Sequence, residues 1–124
     1  MLLKVDLTSD IPIYQQIRNQ IILGLATGKL DYGEDLPSAR ILAQSLGVNF
    51  MTVNKAYKLL RREGIIEVDR TKGTKVREDI VKDLDQVYFD NLRLIIAEGL
   101  IKSKELEGFY ESIQKILEEF SKEG

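Results

Sequence analysis

Apolar residues recur along this chain at two different spacings, and the change of spacing marks out its elements. Leu3, Val5 and Leu7 alternate with polar positions and predict a short edge strand. Tyr14, Ile17, Ile21 and Leu25 then recur every three or four residues and predict a helix, with Asp10 as its cap, Pro12 in its first turn and Gly28 as its stop. Gly24 within it either lets another backbone approach or is a tolerated weak spot. Asp31-Tyr32-Gly33-Glu34 predicts a turn.

The stretch from Leu36 to Leu60 predicts two short helices joined by a tight turn. Ser38 caps the first, and Ala39, Leu42, Ala43 and Leu46 give it one buried side. Gly47 can take the left-handed backbone that closes a helix, and Asn49 caps the next. On the second helix Val53, Ala56, Tyr57 and Leu60 share one face, whereas Met51, Asn54, Lys55, Lys58 and Arg62 gather on the other. That outer face is cationic and rich in hydrogen-bonding groups, which suits a helix laid in the major groove of DNA. Beyond Gly64, Ile65-Ile66-Glu67-Val68 and Thr74-Lys75-Val76 predict paired strands, with Asp69-Arg70-Thr71-Lys72-Gly73 as the basic tip of the hairpin. Three helices followed by a two-stranded ribbon is the order of a winged helix.

From Glu78 onward the pattern is purely helical. Ile80, Leu84, Val87, Tyr88 and Ile95 fall on one face, with Val81, Phe89, Leu92 and Ile96 beside it. Gly99 is the expected terminator and Ser103 the expected cap of a last helix striped by Leu106, Phe109, Tyr110, Ile113, Ile116, Leu117 and Phe120. Two helices cannot hide that much hydrocarbon between themselves. Either a second copy covers them or they fold back on the N-terminal part, and the first is the expectation. Asn91 either fixes register at such a seam or faces solvent. The expected fold class is therefore mainly α with a small antiparallel β-hairpin, as a winged helix-turn-helix domain over residues 1–77 followed by a two-helix C-terminal dimerisation tail over 78–124.

Charge sharpens that division. The net charge of -2 conceals 12 Lys/Arg against 8 Asp/Glu in residues 1–77, and 6 against 12 in residues 78–124. Residues 38–77 alone hold 9 basic and 3 acidic side chains, the imbalance of a polyanion-binding unit or of a chance gradient. Cysteine and histidine are both absent, which excludes disulfides, thiolate or imidazole catalysis and zinc fingers. Ser38, Ser45 and Ser103 have no histidine to activate them, so an enzyme is not expected, nor is any metal or cofactor. With no apolar run approaching the roughly 20 residues of a membrane span and no leader pattern, a soluble, cytoplasmic protein is expected.

Several ordered motifs carry a resemblance. Pro12-Ile13-Tyr14-Gln15-Gln16-Ile17, Leu36-Pro37-Ser38-Ala39-Arg40, Leu46-Gly47-Val48-Asn49, Thr52-Val53-Asn54-Lys55-Ala56-Tyr57, Glu63-Gly64 and Lys72-Gly73-Thr74 resemble the GntR family of bacterial transcription regulators across residues 11–77. The short tail, including Ala97-Glu98-Gly99-Leu100, resembles the YtrA subfamily. The resemblance implies dimerisation through the tail and repression of neighbouring operons, often for ABC transporters. It also implies that Arg40 contacts phosphate, that Asn49 and Thr52 approach DNA, and that Gly73 is the wing-tip glycine. Asn49 and Thr52 have capping and local backbone bonding as alternative roles.

Two departures bear on base reading. Phe50 and Asn54 stand where many members carry arginine, so bidentate readout of guanine is not expected at either. Asn54 could read adenine, and Met51 or Phe50 could touch a thymine methyl, which favours a half-site containing A·T pairs; for Phe50, near the edge of the buried arc, packing is the first expectation. Thr71 replaces the first glycine often seen in the wing. The expected DNA-facing set is Ser38, Arg40, Asn49, Phe50, Met51, Thr52, Asn54, Lys55, Lys58, Arg62, Arg70, Thr71, Lys72 and Gly73. The expected dimerisation set is Leu84, Tyr88, Leu92, Ile95, Phe109, Ile113, Ile116 and Phe120. The expected function is a homodimeric regulator, a repressor by resemblance, on a pseudopalindromic operator in double-stranded DNA, open to an unidentified small-molecule effector. The alternative is a winged-helix protein-interaction module that binds no specific duplex.

Overall fold

The recognition-type helix predicted around residue 55 is the element on which the N-terminal unit is built. In the computed structural model, which describes residues 3–80 and 84–120, the chain divides into two compact units, Met1–Ile80 and Val81–Gly124. The first contains α1 (Ile13–Ala26), β1 (Asp35–Leu36), α2 (Ala39–Leu46), α3 (Phe50–Arg62), β2 (Ile66–Asp69) and β3 (Gly73–Val76). Both α1 and α2 pack on α3, and β2 packs against its C-terminal end. Val53, Ala56, Tyr57 and Leu60 of α3 are buried against Ile17, Ile21 and Leu25 of α1 and Leu42 and Ala43 of α2. The core is wholly apolar, since no polar or charged residue among those described is buried.

The hairpin pairs Ile66 with Val76 at its base and Asp69 with Gly73 at its tip. Ile66 and Val76 are both buried, so the base of the ribbon is anchored in the core while its tip projects. A third strand joins it: β1 lies antiparallel to β3, with Asp35 opposite Lys75 and Leu36 opposite Thr74. That strand follows directly on the predicted turn, where Glu34 N–H donates to the Asp31 carbonyl.

At the N-terminus the expected strand over Leu3, Val5 and Leu7 does not form. Leu3 and Val5 do turn inward onto the core, but the extended backbone is held by side chains rather than by another strand. Lys4 N–H donates to Gln20 Oε1, whose amide in turn bonds the Lys4 carbonyl, and Asp6 N–H donates to Gln16 Oε1 at 2.8 Å. Two glutamines of α1 thus supply the pairing that a neighbouring strand would have supplied. Asp10 is not the cap of α1; Pro12 holds that position without a side-chain bond, and Ser9 Oγ accepts the Ile11 N–H. At the other end Gly28 takes φ 79°, and Leu30 returns to donate its N–H to the Gly24 carbonyl.

The second unit is two helices, α4 (Gln86–Lys102) and α5 (Leu106–Glu119), which pack on each other. Helix does not start at Glu78 as the pattern suggested. Ile80 packs against the core of the first unit, and α4 is capped by Asp85, whose Oδ1 accepts the Tyr88 N–H at 2.9 Å. Val81 lies outside the described residues. Gly99 is not a terminator either: α4 continues to Lys102, and the ring of Phe109 lies so close over Gly99 that any Cβ there would overlap it. Ser103 closes α4, its N–H bonded to the Gly99 carbonyl, and Glu105 takes the capping position of α5. No helix among the described residues is long and apolar enough to cross a membrane.

Candidate nucleic-acid interface

The turn between α2 and α3 is fixed by local bonds. Ser38 Oγ accepts the Ile41 N–H at 3.2 Å and Asn49 Oδ1 accepts the Met51 N–H at 2.7 Å, so each helix begins on a side-chain cap. Gly47 between them has φ 70°, and the Val48 N–H reaches back to the Ala43 carbonyl, closing α2 with a left-handed residue. Tyr57 adds a long-range tie: its hydroxyl donates to the Pro37 carbonyl at 2.7 Å, and burial raises the pKa of the phenol, keeping it the neutral donor. On the far side of α3, Arg18 and Glu63 form a two-pronged ion pair with contacts of 3.0 and 2.6 Å. The helix is thereby braced at its start, middle and end.

What this scaffold presents is a row of uncompensated cations. Met51, Lys55, Lys58, Arg61 and Arg62 are exposed along α3, Asn54 and Thr52 are half-buried among them, and Arg70 and Lys72 are exposed on the hairpin tip. The side chains of Arg40, Lys55, Lys58, Arg61, Arg62, Arg70 and Lys72 enter no ion pair or hydrogen bond with any described residue. Lys75 stands apart from them, half-buried and 3.5 Å from Glu67. Like charges left unneutralised on one unit sum to a positive field able to attract a polyanion. Two of these cations lie on rings: the Arg40 guanidinium is 5.0 Å from the centroid of Phe50, and the Lys55 ammonium 4.1 Å from that of Tyr14. Neither pairing is visible as a sequence motif, because the partners belong to different helices.

At the hairpin tip, Thr71 in place of a glycine is accommodated without strain. Among the described residues none other than glycine has positive φ; Gly73 carries it at 83°. Thr71 instead bonds Asp69, whose Oδ1 accepts its N–H and its hydroxyl, each at 2.8 Å, and the Lys72 N–H at 3.4 Å. These bonds, that from the Thr71 N–H foremost, hold the Asp69 carboxyl below the ordinary aspartate range. A depressed carboxyl stabilises the folded turn fully above its unfolded pKa, and that contribution is lost as pH falls through the lower folded value. A carbon-detected titration of Asp69 should place its midpoint below the ordinary range, with the Thr71 amide resonance moving in step. A midpoint at or above that range would contradict the turn geometry.

The tail contributes none of this charge. Among the expected dimerisation residues, Leu84, Tyr88, Leu92, Ile95 and Ile116 are exposed, while Phe109, Ile113 and Phe120 are half-buried and Phe109 packs on Gly99 of its own chain. Asn91 is exposed. An open groove of about 360 Å³ on α4 is lined by Gln86, Phe89, Leu92, Arg93 and Ile96, with no converging polar cluster. No group of side chains suited to a metal ion occurs among the described residues.

Comparison with known proteins agrees with this architecture. Residues 12–76 match the family model for bacterial regulatory proteins of the gntR family. The HTH-type transcriptional repressor YtrA of Bacillus subtilis is 36% identical over 119 residues, covering 93% of this chain and 92% of that protein, so the likeness extends beyond the first unit into the tail. A transcriptional antiterminator from Listeria monocytogenes superposes with a TM-score of 0.83 at 25% identity, over 100% of this chain and 96% of that one. The AraR DNA-binding domain, solved with operator ORX1, superposes with a TM-score of 0.54 at 26% identity, over 61% of this chain and 98% of that one. With the capped helix pair, the braced third helix and the basic hairpin all in place, the chain belongs to the GntR family of transcriptional regulators, and within it resembles the YtrA type.

Proposed function

We propose that this regulator is a cytoplasmic repressor that binds a pseudopalindromic operator as a homodimer, each copy laying α3 in the major groove. The observation that carries the reading is the set of exposed, unpaired cations along α3 and the hairpin tip. Lys55, Lys58, Arg62, Arg70 and Lys72, joined by Arg61, meet phosphates, while Met51, Thr52 and Asn54 lie nearest the bases. The amide of Asn54 suits the N6 and N7 edge of adenine. Ser38 and Asn49 hold the two helix starts in place, and Thr71 and Gly73 set the hairpin tip that delivers its two cations.

The tail supports the homodimer. None of the described residues 84–120 is buried, and α4 exposes apolar side chains around most of its circumference. A helix apolar on several sides is one covered on several sides, here by α5 and by a second copy. Repression is supported by the likeness to YtrA, and operator binding by the complex in which the AraR domain was solved.

Selection from random duplexes with the purified protein tests the reading. Enrichment of a two-fold sequence is expected, with half-site centres roughly 34–36 Å apart or a multiple of that, and A·T pairs opposite Asn54. Affinity should fall with salt at a log–log slope of roughly -0.9 per phosphate engaged. Binding that prefers no two-fold sequence over random duplex at moderate salt would favour a protein-interaction module instead.

A further inference from the structure

The Arg40 guanidinium lies 5.0 Å from the centroid of the Phe50 ring, and no ion pair or hydrogen bond to any other described residue holds it. Arg40 is exposed on the first turn of α2, whereas Phe50 is half-buried and packed against the core at the first position of α3. The ring is therefore fixed and the long arginine side chain free, so contact between them restricts the arginine. We propose that Phe50 is a positioning residue: it orients the Arg40 guanidinium beside the start of α3 for contact with a DNA phosphate, and does not itself read a base.

A guanidinium attracted to a ring gives up no N–H hydrogen bond to it, so its donors remain available to a phosphate. An unrestrained arginine loses rotamer freedom when it binds, and a side chain already held loses less. The inward packing of Phe50 withdraws it from the groove, and its ring is occupied on the side that faces Arg40. The inference rests on the DNA-binding reading above, so its test carries one arm without DNA and one with it.

In the free protein, the Arg40 side-chain protons should show an upfield ring-current shift that disappears in F50L and persists in F50Y. With the selected operator, F50L should bind about two- to fivefold more weakly, the size expected of an exposed cation–π contact, and F50Y should restore binding. In an R40A background, F50L should change affinity by less than about 1.5-fold. Equal loss from F50L with and without Arg40 would overturn the proposal, as would a changed base preference in selection with F50L, since either makes the ring act directly or through packing alone. Absence of the ring-current shift in the wild-type protein would overturn it regardless of DNA. A wild-type protein that shows the shift and selects no operator would overturn the DNA-binding reading and this role with it, whereas a missing shift, or an F50L loss independent of Arg40, overturns this role and leaves that reading standing.

Discussion

Glutamate at both Leu92 and Ile95 should turn the protein into a monomer and weaken operator binding by about a hundredfold or more, the scale on which linked binding sites exceed single ones. Leu92 and Ile95 lie one turn apart on α4, 41% and 64% exposed, so their substitution leaves the Phe109 contact on Gly99 untouched. Helices of 17 and 14 residues each fix their backbones at roughly 1–2 kcal/mol per residue, and that cost must be met by hydrogen bonds and apolar burial. A pair with no buried side chain has not met it. At about 25 cal/mol per Å², the exposed faces of Leu92, Ile95, Tyr88 and Leu117 are the available reserve, which the second copy proposed above would turn into burial. Two carboxylates in that seam would have to be desolvated without partners. Light scattering reads the mass and operator titration the affinity; a dimer that survives the double substitution places the seam elsewhere.

Gly99→Ala should destabilise the tail although helix propensity predicts the reverse. In an isolated helix the exchange gains about 1 kcal/mol. Here the new methyl falls on the Phe109 ring, so either the ring swings off α4 or the two helices separate, and overpacking of this kind costs about 1–3 kcal/mol. The collision therefore outweighs the propensity gain. Removing the ring removes the collision, so in a Phe109→Ala background the same Gly99→Ala exchange should become stabilising. Chemical unfolding at one fixed protein concentration measures both, because the proposed dimer would make apparent stability depend on concentration. Stabilisation in both backgrounds would mean that Phe109 does not lie on Gly99.

The elements that were legible in the sequence are those whose causes are local. Ser38, Gly47 and Asn49 act within a few residues of themselves, and the helices they bound came out where their spacing placed them. Where the cause is distant, the pattern misled. Leu3, Val5 and Leu7 alternate like a strand, yet their backbone partners are the side chains of Gln16 and Gln20. Asp35-Leu36 shows no strand signal because two residues become a strand only by lying beside Thr74 and Lys75. Ile80 continues the apolar stripe of the tail in sequence, but it belongs to the first unit and packs against that unit's core. Gly99 has the composition of a helix stop and the position of a socket for an aromatic ring. In the candidate interface the cations of α3 were predictable from the helical wheel, whereas the rings beneath Arg40 and Lys55 come from folding α2 and α1 against it.

The four buried residues of α3 and its outward-facing ones occupy opposite sides of the same thirteen-residue helix. Met51, Asn54 and Lys58 can therefore be exchanged in descendants of this gene without disturbing how the polypeptide attains its shape. On the proposed reading of α3, target choice can drift while foldability is inherited intact, so a few substitutions would re-aim one small scaffold at new promoters.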